Sequence, residues 1–419
     1  MKRGKVISLL GMCLVLVLAT AILDWGRPAL STGKELRIGV AIPITGPCAD
    51  IGAHCKRGVT LAVEEINAAG GVMGRKIKLL FADDKSTPAV GVAAAERLIT
   101  RDKVDVLMGT YNSSVALAVM EVPAKYGVPF ITGGATSDQI GIKRASDPKK
   151  YRAFYKPVVP SYVYGKVWIW FWEEMFDRGL YKPESKNIAI VYENSAWGIA
   201  IIDAIKKYLE ESKMHKDGYR IVLSDQIPIG ETDFLAEISK VKAHKPGIAF
   251  GVFASVPSNS AFQKQFVSAG IKVPVCSTYT PNNPEFITLT GAAANGLVWC
   301  SVINLLPTKE AEHFETAIWK KYKKKVEVVG SIVYDDIYMI KEAYERAGSF
   351  DREKFLEEMD KTRHVGAAGV YVFDPTTHEG IPGEHYIPPV IYQIQDGKSI
   401  GIWPKKYAQV EYVVPSWMK

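Results

Sequence analysis

From Lys34 onward, short apolar runs alternate with longer stretches in which apolar residues return every three or four positions. Leu36 to Pro43 reads as a buried strand and runs into the turn Thr45-Gly46-Pro47. Val59, Ala62, Val63 and Ile66 then follow the i, i+3, i+4, i+7 spacing of one helical face. Asn67 to Gly71 stops that helix. The alternation continues with a strand at Lys76–Ala82, a helix with Val92, Ala95 and Ile99 on one face, and a strand at Asp105–Gly109. A helix at Ser113–Tyr126 and a strand at Val128–Thr132 complete the first series. This rhythm predicts an α/β fold, a parallel sheet covered on both faces by helices.

The rhythm restarts after a bridge near Tyr151–Pro160 that contains Pro157 and Pro160. Val163 to Arg178 predicts an unusually aromatic helix, with Trp168, Trp170, Phe171, Trp172 and Phe176. Strands are expected at Lys186–Tyr192, Tyr219–Gln226, Gly247–Phe253 and Val273–Ser277. Between them lie a helix carrying Ile201, Ala204, Ile205 and Tyr208, and helices at about 233–243 and 256–269. After Gly296 come another strand, helices at Glu310–Lys323, Tyr334–Ala347 and Arg352–Met359, and a β-rich end from Gly369 to Val414. Two α/β lobes of similar size follow from this pattern.

The chain has 419 residues, 47% hydrophobic and 23% charged, which excludes wholesale disorder and a coiled-coil rod. Its net charge of +7 raises nucleic acid or a membrane surface as partners. Much of that excess has another explanation. Lys2, Arg3 and Lys5 precede an apolar run from Val6 to Leu23, the layout of a secretory signal peptide. Ala19-Thr20-Ala21 offers a cleavage site, with Ala29 a second candidate, and cleavage removes those three charges. The basic run Lys320, Lys321, Lys323, Lys324 and Lys325 falls at a helix end, where cations suit the dipole. Export also changes the meaning of the cysteines. Cys13 leaves with the signal, and the even set Cys48, Cys55, Cys276 and Cys300 suggests two disulfides in an oxidising compartment. Cys48–Cys55 would close a short loop, and Cys276–Cys300 would join two strands.

The seven histidines, at 54, 215, 244, 313, 364, 378 and 385, form no metal-binding pair at helical spacing. No nucleophile elbow, phosphate loop or cofactor loop is present, so neither an enzyme nor a bound cofactor is expected. The pairs Asp83-Asp84 and Asp335-Asp336 are adjacent, diverge on any regular element and read as structural. What remains are hydroxyls at strand-to-helix turns: Tyr111-Asn112-Ser113-Ser114 and Gly133-Gly134-Ala135-Thr136-Ser137-Asp138. Ligands of open parallel sheets bind beyond the carboxyl ends of strands, and helix starts suit anions. The same residue types also serve as plain N-caps.

Together these residues resemble a known family. Ile38-Gly39-Val40 leading to Pro43-Ile44-Thr45-Gly46-Pro47, the stretch Gly58 to Val72, Val128-Pro129, Gly134-Ala135-Thr136, Tyr334-Asp335, Ala347-Gly348-Ser349 and Trp403-Pro404 are similar to the periplasmic solute-binding proteins of ATP-driven (ABC) uptake systems, the leucine/isoleucine/valine-binding type. The resemblance runs from about Glu35 to the C-terminus. It implies two Rossmann-like lobes with parallel central sheets joined by a multi-crossover hinge, lobe one at 34–155 plus 300–385 and lobe two at 156–299 plus 386–419; the signal peptide expected from the charge and hydropathy of the N-terminus takes up 1–21, or up to about 29.

It also implies that Ser113 and Thr136 contact the ligand's carboxylate and ammonium, accompanied by Tyr111, Asn112, Gly134 and Ala135. In lobe two it points to Trp197, to Phe253 or its neighbour Ala254, and to Tyr279. The loop Cys276-Ser277-Thr278-Tyr279-Thr280 lacks the acid with which amino-acid binders hold an ammonium; Glu193 and Asp225 are the possible substitutes. The expected function is capture by hinge closure of a small carboxylate-bearing solute: a branched-chain or other amino acid, an aromatic or organic acid, or an amide. Delivery would be to a membrane permease, by a periplasmic or extracytoplasmic monomer with no nucleic-acid partner. A sensor of the same fold, as receptor ectodomain or chemotaxis adaptor, is the alternative. A transcription regulator would need a helix-turn-helix where the signal peptide lies.

Overall fold

The computed structural model describes residues 34–325 and 327–418. The expected signal peptide and Cys13 lie outside the described residues. Lobe one is built on a five-stranded, wholly parallel sheet in the order β2-β1-β3-β4-β5. Its strands are β1 (Leu36–Ile42), β2 (Ile77–Asp83), β3 (Val106–Gly109), β4 (Phe130–Ile131) and β5 (Phe154–Tyr155). Between them run α1 (Ala49–Ala68), α2 (Pro88–Thr100), α3 (Ser113–Val119), α4 (Glu121–Tyr126) and α5 (Asp138–Ser146).

Lobe two has seven strands in the order β14-β13-β10-β9-β8-β6-β7. These are β6 (Asn187–Glu193), β7 (Arg220–Ile227), β8 (Ile248–Val252), β9 (Val275–Thr278), β10 (Val298–Ser301), β13 (Val390–Gln395) and β14 (Lys398–Trp403). The first five are parallel, and β13 and β14 add an antiparallel edge made from the chain's end. Helices α6 (Tyr162–Asp177), α7 (Ala196–Glu211), α8 (Lys213–Lys216), α9 (Leu235–Ala243), α10 (Val256–Ser268) and α11 (Pro284–Thr290) belong to this lobe. The central strands β3, β8, β9 and β10 are buried at every residue, as strands covered on both faces must be. The edge strand β7 is mostly half-exposed.

After β10 the chain returns to lobe one as α12 (Lys309–Tyr322), α13 (Val328–Ala347), α14 (Arg352–Asp360) and the hairpin β11–β12 (Arg363–Gly366 and Gly369–Val372). Helix α13 packs against α1 so closely that a Cβ on Gly58 would lie 2.0 Å from the Gly330 carbonyl oxygen. The chain therefore crosses between the sheets at 156–161, 302–308 and 373–389. No helix among the described residues is long and apolar enough to cross a membrane.

Three expectations are corrected. The stretch 113–126 is two helices, not one, because Pro123 offers no N–H to the Val119 carbonyl and its ring crowds that turn. Helix α13 begins at Val328, six residues before the expected start. Its N-cap is Glu327, whose carboxylate accepts from the N–H groups of Val329 and Gly330 at 2.9 and 3.3 Å. Neither disulfide exists: Cys48, Cys55, Cys276 and Cys300 are free and buried. Cys48 and Cys55 begin and continue one helix, and seven residues at about 1.5 Å rise separate them well beyond disulfide reach. Cys276 pairs with Val298, not Cys300, so the two thiols are offset along neighbouring strands.

The aromatic helix α6 forms the heart of lobe two. Trp168, Phe171 and Trp172 are fully buried, and the rings of Phe171, Trp172, Tyr181 and Tyr412 meet at 5.0–6.3 Å, largely edge to face. This cluster ties the C-terminal segment, through Tyr412, to the second lobe.

Candidate functional site

The carboxyl ends of both sheets face each other, and between them lies a small, tight cavity lined by both lobes. Lobe one contributes the loop after β3, with Tyr111, Asn112 and Ser113, and the loop after β4, with Gly134 and Thr136. Lobe two contributes Tyr164 of α6, Glu193 and Ser195 at the end of β6, Trp197 in the first turn of α7, Ala254 after β8 and Tyr279 after β9. Ile303 of the second crossing and Val329 of α13 complete the lining.

The structure thus brings together Tyr111, Asn112, Ser113, Gly134, Thr136, Trp197 and Tyr279. Ala135 is placed elsewhere, buried in the apolar cluster behind the first sheet. Phe253 is also turned away, its ring 5.1 Å from those of Phe234 and Phe262, and its neighbour Ala254 faces the cavity instead. Of the two candidate acids, Asp225 lies outside the cavity and is paired with Lys240 at 2.7 Å. Glu193 lines it. Tyr164, Ser195, Ile303 and Val329 carried no sequence signal, because each owes its place to the meeting of distant segments.

The hydroxyls of lobe one are held in place. Ser113 Oγ accepts from the Ser137 N–H at 3.1 Å, which ties the two lobe-one loops together. Thr136 Oγ1 lies 2.9 Å from Ser161 Oγ. Asn112 Nδ2 points to Cys48 Sγ at 3.5 Å, while its Oδ1 is buried with no partner among the described residues, an acceptor left open beside the cavity. Because α3 stops after seven residues, hydroxyl and amide groups supply the polarity here more than a helix dipole.

On the opposite wall, Glu193 is 1% exposed. Its carboxylate accepts from the Ser195 hydroxyl at 2.6 Å and the Ala254 N–H at 2.7 Å. Burial nonetheless pushes its pKa up to about 6 against those two bonds. Both partners are neutral, and a carboxylate can accept about four hydrogen bonds. A cation entering the cavity would meet an acid that lacks one.

The lobes also hold each other directly. The Tyr111 hydroxyl of lobe one donates to the Ala254 carbonyl of lobe two at 3.3 Å. In return the Tyr279 hydroxyl of lobe two donates to Glu327 Oε1 of lobe one. The two rings are 6.0 Å apart. Tyr279 makes this contact from a left-handed backbone, φ +56°, a conformation an L-residue adopts only at a cost of about 1–3 kcal/mol. The Ala196 N–H donates to Ser114 Oγ at 3.0 Å. At the rim, Asn283 Nδ2 reaches Asp50 at 3.3 Å and His54 Nε2 lies 3.5 Å from Glu285. The structure is a closed form.

The family described as periplasmic binding protein matches residues 35–388. The Leu/Ile/Val-binding protein homolog 3 of Brucella melitensis is 27% identical over 374 residues, 88% of this chain and 94% of that protein. The leucine-, isoleucine-, valine-, threonine-, and alanine-binding protein of Pseudomonas aeruginosa is 26% identical over 344 residues, 81% and 86% of the two chains. Among solved structures, a branched-chain amino acid transporter substrate-binding protein of Streptococcus pneumoniae in complex with isoleucine superposes with a TM-score of 0.74 at 23% identity, covering 87% of this chain and 98% of that one. A solute-binding protein of R. palustris in complex with 4-hydroxybenzoate gives 0.74 at 22% identity, covering 92% and 99%. At these identities the superpositions speak for the fold.

Proposed function

We propose, from the premise that the chain belongs to the periplasmic binding protein family, that it captures a small carboxylate-bearing solute between its lobes and passes it to the permease of an ABC uptake system. It is a solute-binding protein, and its work is closure around a ligand rather than a bond made or broken. One observation carries the choice of solute. The cavity sets hydroxyl donors, Ser113 and Thr136, on one wall and an uncompensated buried carboxylate, Glu193, on the other. A zwitterion spanning the cleft satisfies both, its carboxylate on the hydroxyls and its ammonium on Glu193. An amino acid is therefore the leading solute, in keeping with relatives named for leucine, isoleucine and valine.

A second reading has its own support. Tyr111, Tyr164, Trp197 and Tyr279 surround the cavity with rings, which suits an aromatic acid such as the 4-hydroxybenzoate bound by a structural relative. Protonated Glu193 would then donate to a ring substituent. A thermal-shift screen against amino acids, amides and aromatic acids separates the two, since a ligand bound only by the native state raises Tm. A shift with branched-chain amino acids and none with benzoates supports the first reading; the reverse supports the second, and no shift with either class rejects the site. Export by residues 1–21 and a monomeric state complete the proposal. The intact mass of the secreted protein and its sedimentation test these two points.

A further inference from the structure

Lys156, the first residue of the first crossing, is completely buried. Its Nζ lies 2.5 Å from Glu379 Oε1, on the third crossing. The same ammonium donates to the carbonyls of Thr136 at 3.1 Å and Ser137 at 3.3 Å. Two of its N–H donors are thereby directed at the loop whose Thr136 lines the cavity, and the Glu379 carboxylate supplies the countercharge. Backbone bonds reinforce the arrangement: Lys156 N–H donates to the His378 carbonyl and Gly380 N–H to the Lys156 carbonyl, both at 2.8 Å. At the far end of the crossing, Ser161 N–H donates to the Thr136 carbonyl at 2.8 Å, its hydroxyl meets that of Thr136, and Tyr162 N–H donates to Asp138 Oδ1 at 3.0 Å. Gly141 of α5 closes over the pair, where a Cβ would lie 2.3 Å from the Glu379 carboxyl.

We infer that Lys156 is a positioning residue that couples ligand capture at Thr136 to the angle between the lobes. The inference rests on the reading of Thr136 as a ligand contact. Domain closure turns in the segments that join the lobes. Here two of those segments and the lobe-one ligand loop form one bonded unit around a single cation. Turning the first crossing against lobe one either breaks the Lys156 and Ser161 bonds to residues 136–137 or drags that loop with it. A ligand that fixes Thr136 therefore fixes the hinge, and by linkage a hinge held closed presets Thr136. A mere linker would not need this chemistry. A buried lysine is costly unless fully partnered, and an apolar residue would pack the same space more cheaply.

Hydrogen exchange in the full chain tests this without any ligand. The Lys156→Met/Glu379→Gln double variant removes the cation and leaves no buried unpaired charge. Amide exchange in 136–138 and 156–162 should rise about tenfold, with β1 and β3 unchanged. Exchange within about twofold of wild type in those segments, or an equal rise throughout lobe one, overturns the proposal. If the double variant does not fold, the Lys156→Gln/Glu379→Gln pair, which also leaves no buried charge, is read the same way. Thr136→Ala keeps the two ideas apart. Unaltered binding of both L-isoleucine and 4-hydroxybenzoate in that variant rejects the ligand site, whereas unaltered exchange in the Lys156 variants rejects the coupling.

Discussion

Ser113 and Thr136 line the cavity, each hydroxyl already oriented by a neighbour, and under the proposed function they receive the ligand carboxylate. Replacing either with alanine should weaken binding by about 1.5–3 kcal/mol, the worth of a charge-assisted hydrogen bond, measured by calorimetry with whichever solute the screen identifies. Unchanged affinity in both variants would remove them from the site. Glu193 makes a sharper prediction. Its pKa stands at about 6 in the fold against 4.5 for an ordinary glutamate. Between those values the folded state binds more protons than the unfolded chain, so this group's contribution to stability declines as pH rises through that window. A bound ammonium opposes the trend by favouring the ionised form. Affinity for an amino acid should therefore increase from pH 5 to pH 7 and lose that dependence in Glu193→Gln, while an aromatic acid would bind better at pH 5. Glu193 is visible in the sequence only as an acid at a strand end. Its importance comes from Ala254, Ser195 and the opposite lobe, which bury it.

At the scale of elements, strands and long helices follow from periodicity, and the misplacements have local causes. A single imino acid, Pro123, divides a stretch that is apolar at helical spacing. Helix α13 gains its first turn from a glutamate, a residue type outside the usual N-cap set. The hairpin β11–β12 shows an element held by charge. His364 lies 3.0 Å from Glu342 and 3.8 Å from Asp335, both on α13. Burial alone would lower its pKa, but the hydrogen bonds and charges of Asp335 and Glu342 outweigh burial and raise it to about 9. The fold therefore favours the imidazolium. Its stabilisation is fully present below the ordinary value of 6.5 and disappears as pH rises through 9. The difference in unfolding free energy between wild type and His364→Gln should shrink across that interval in urea titrations. A constant difference would mean that the histidine packs the hairpin without charging.

For the whole molecule, the closed form depends on reciprocal bonds: Tyr111 donates into lobe two and Tyr279 into lobe one. Each neutral bond of this kind is worth about 0.5–1.5 kcal/mol net, and the one to the Glu327 carboxylate more. Tyr279→Phe should thus shift the ligand-free protein toward open forms, seen as a larger radius of gyration in solution scattering. Apparent affinity should fall in proportion to the lost closed population. An unchanged radius with unchanged affinity would show that closure does not draw on this bond. The shared cavity, the crossings at 156–161, 302–308 and 373–389, and the Lys156–Glu379 pair also exist only at this scale. No local pattern links Lys156 to Glu379 across more than half the chain.

The sequence by itself determined the α/β class, two strand–helix series, the family resemblance and the lobe-one loops with Tyr111, Ser113 and Thr136. These are local properties: side-chain period, turn chemistry and motif order are written in consecutive residues. Tertiary structure alone decided that Ala254 rather than Phe253 lines the cavity, that Glu193 and not Asp225 is the acid in the cleft, and that the four described cysteines remain thiols. Those outcomes depend on strand register, on which lobe lies opposite, and on burial. All three arise when segments far apart in the chain meet, and the strength of a charge or hydrogen bond is set by that meeting.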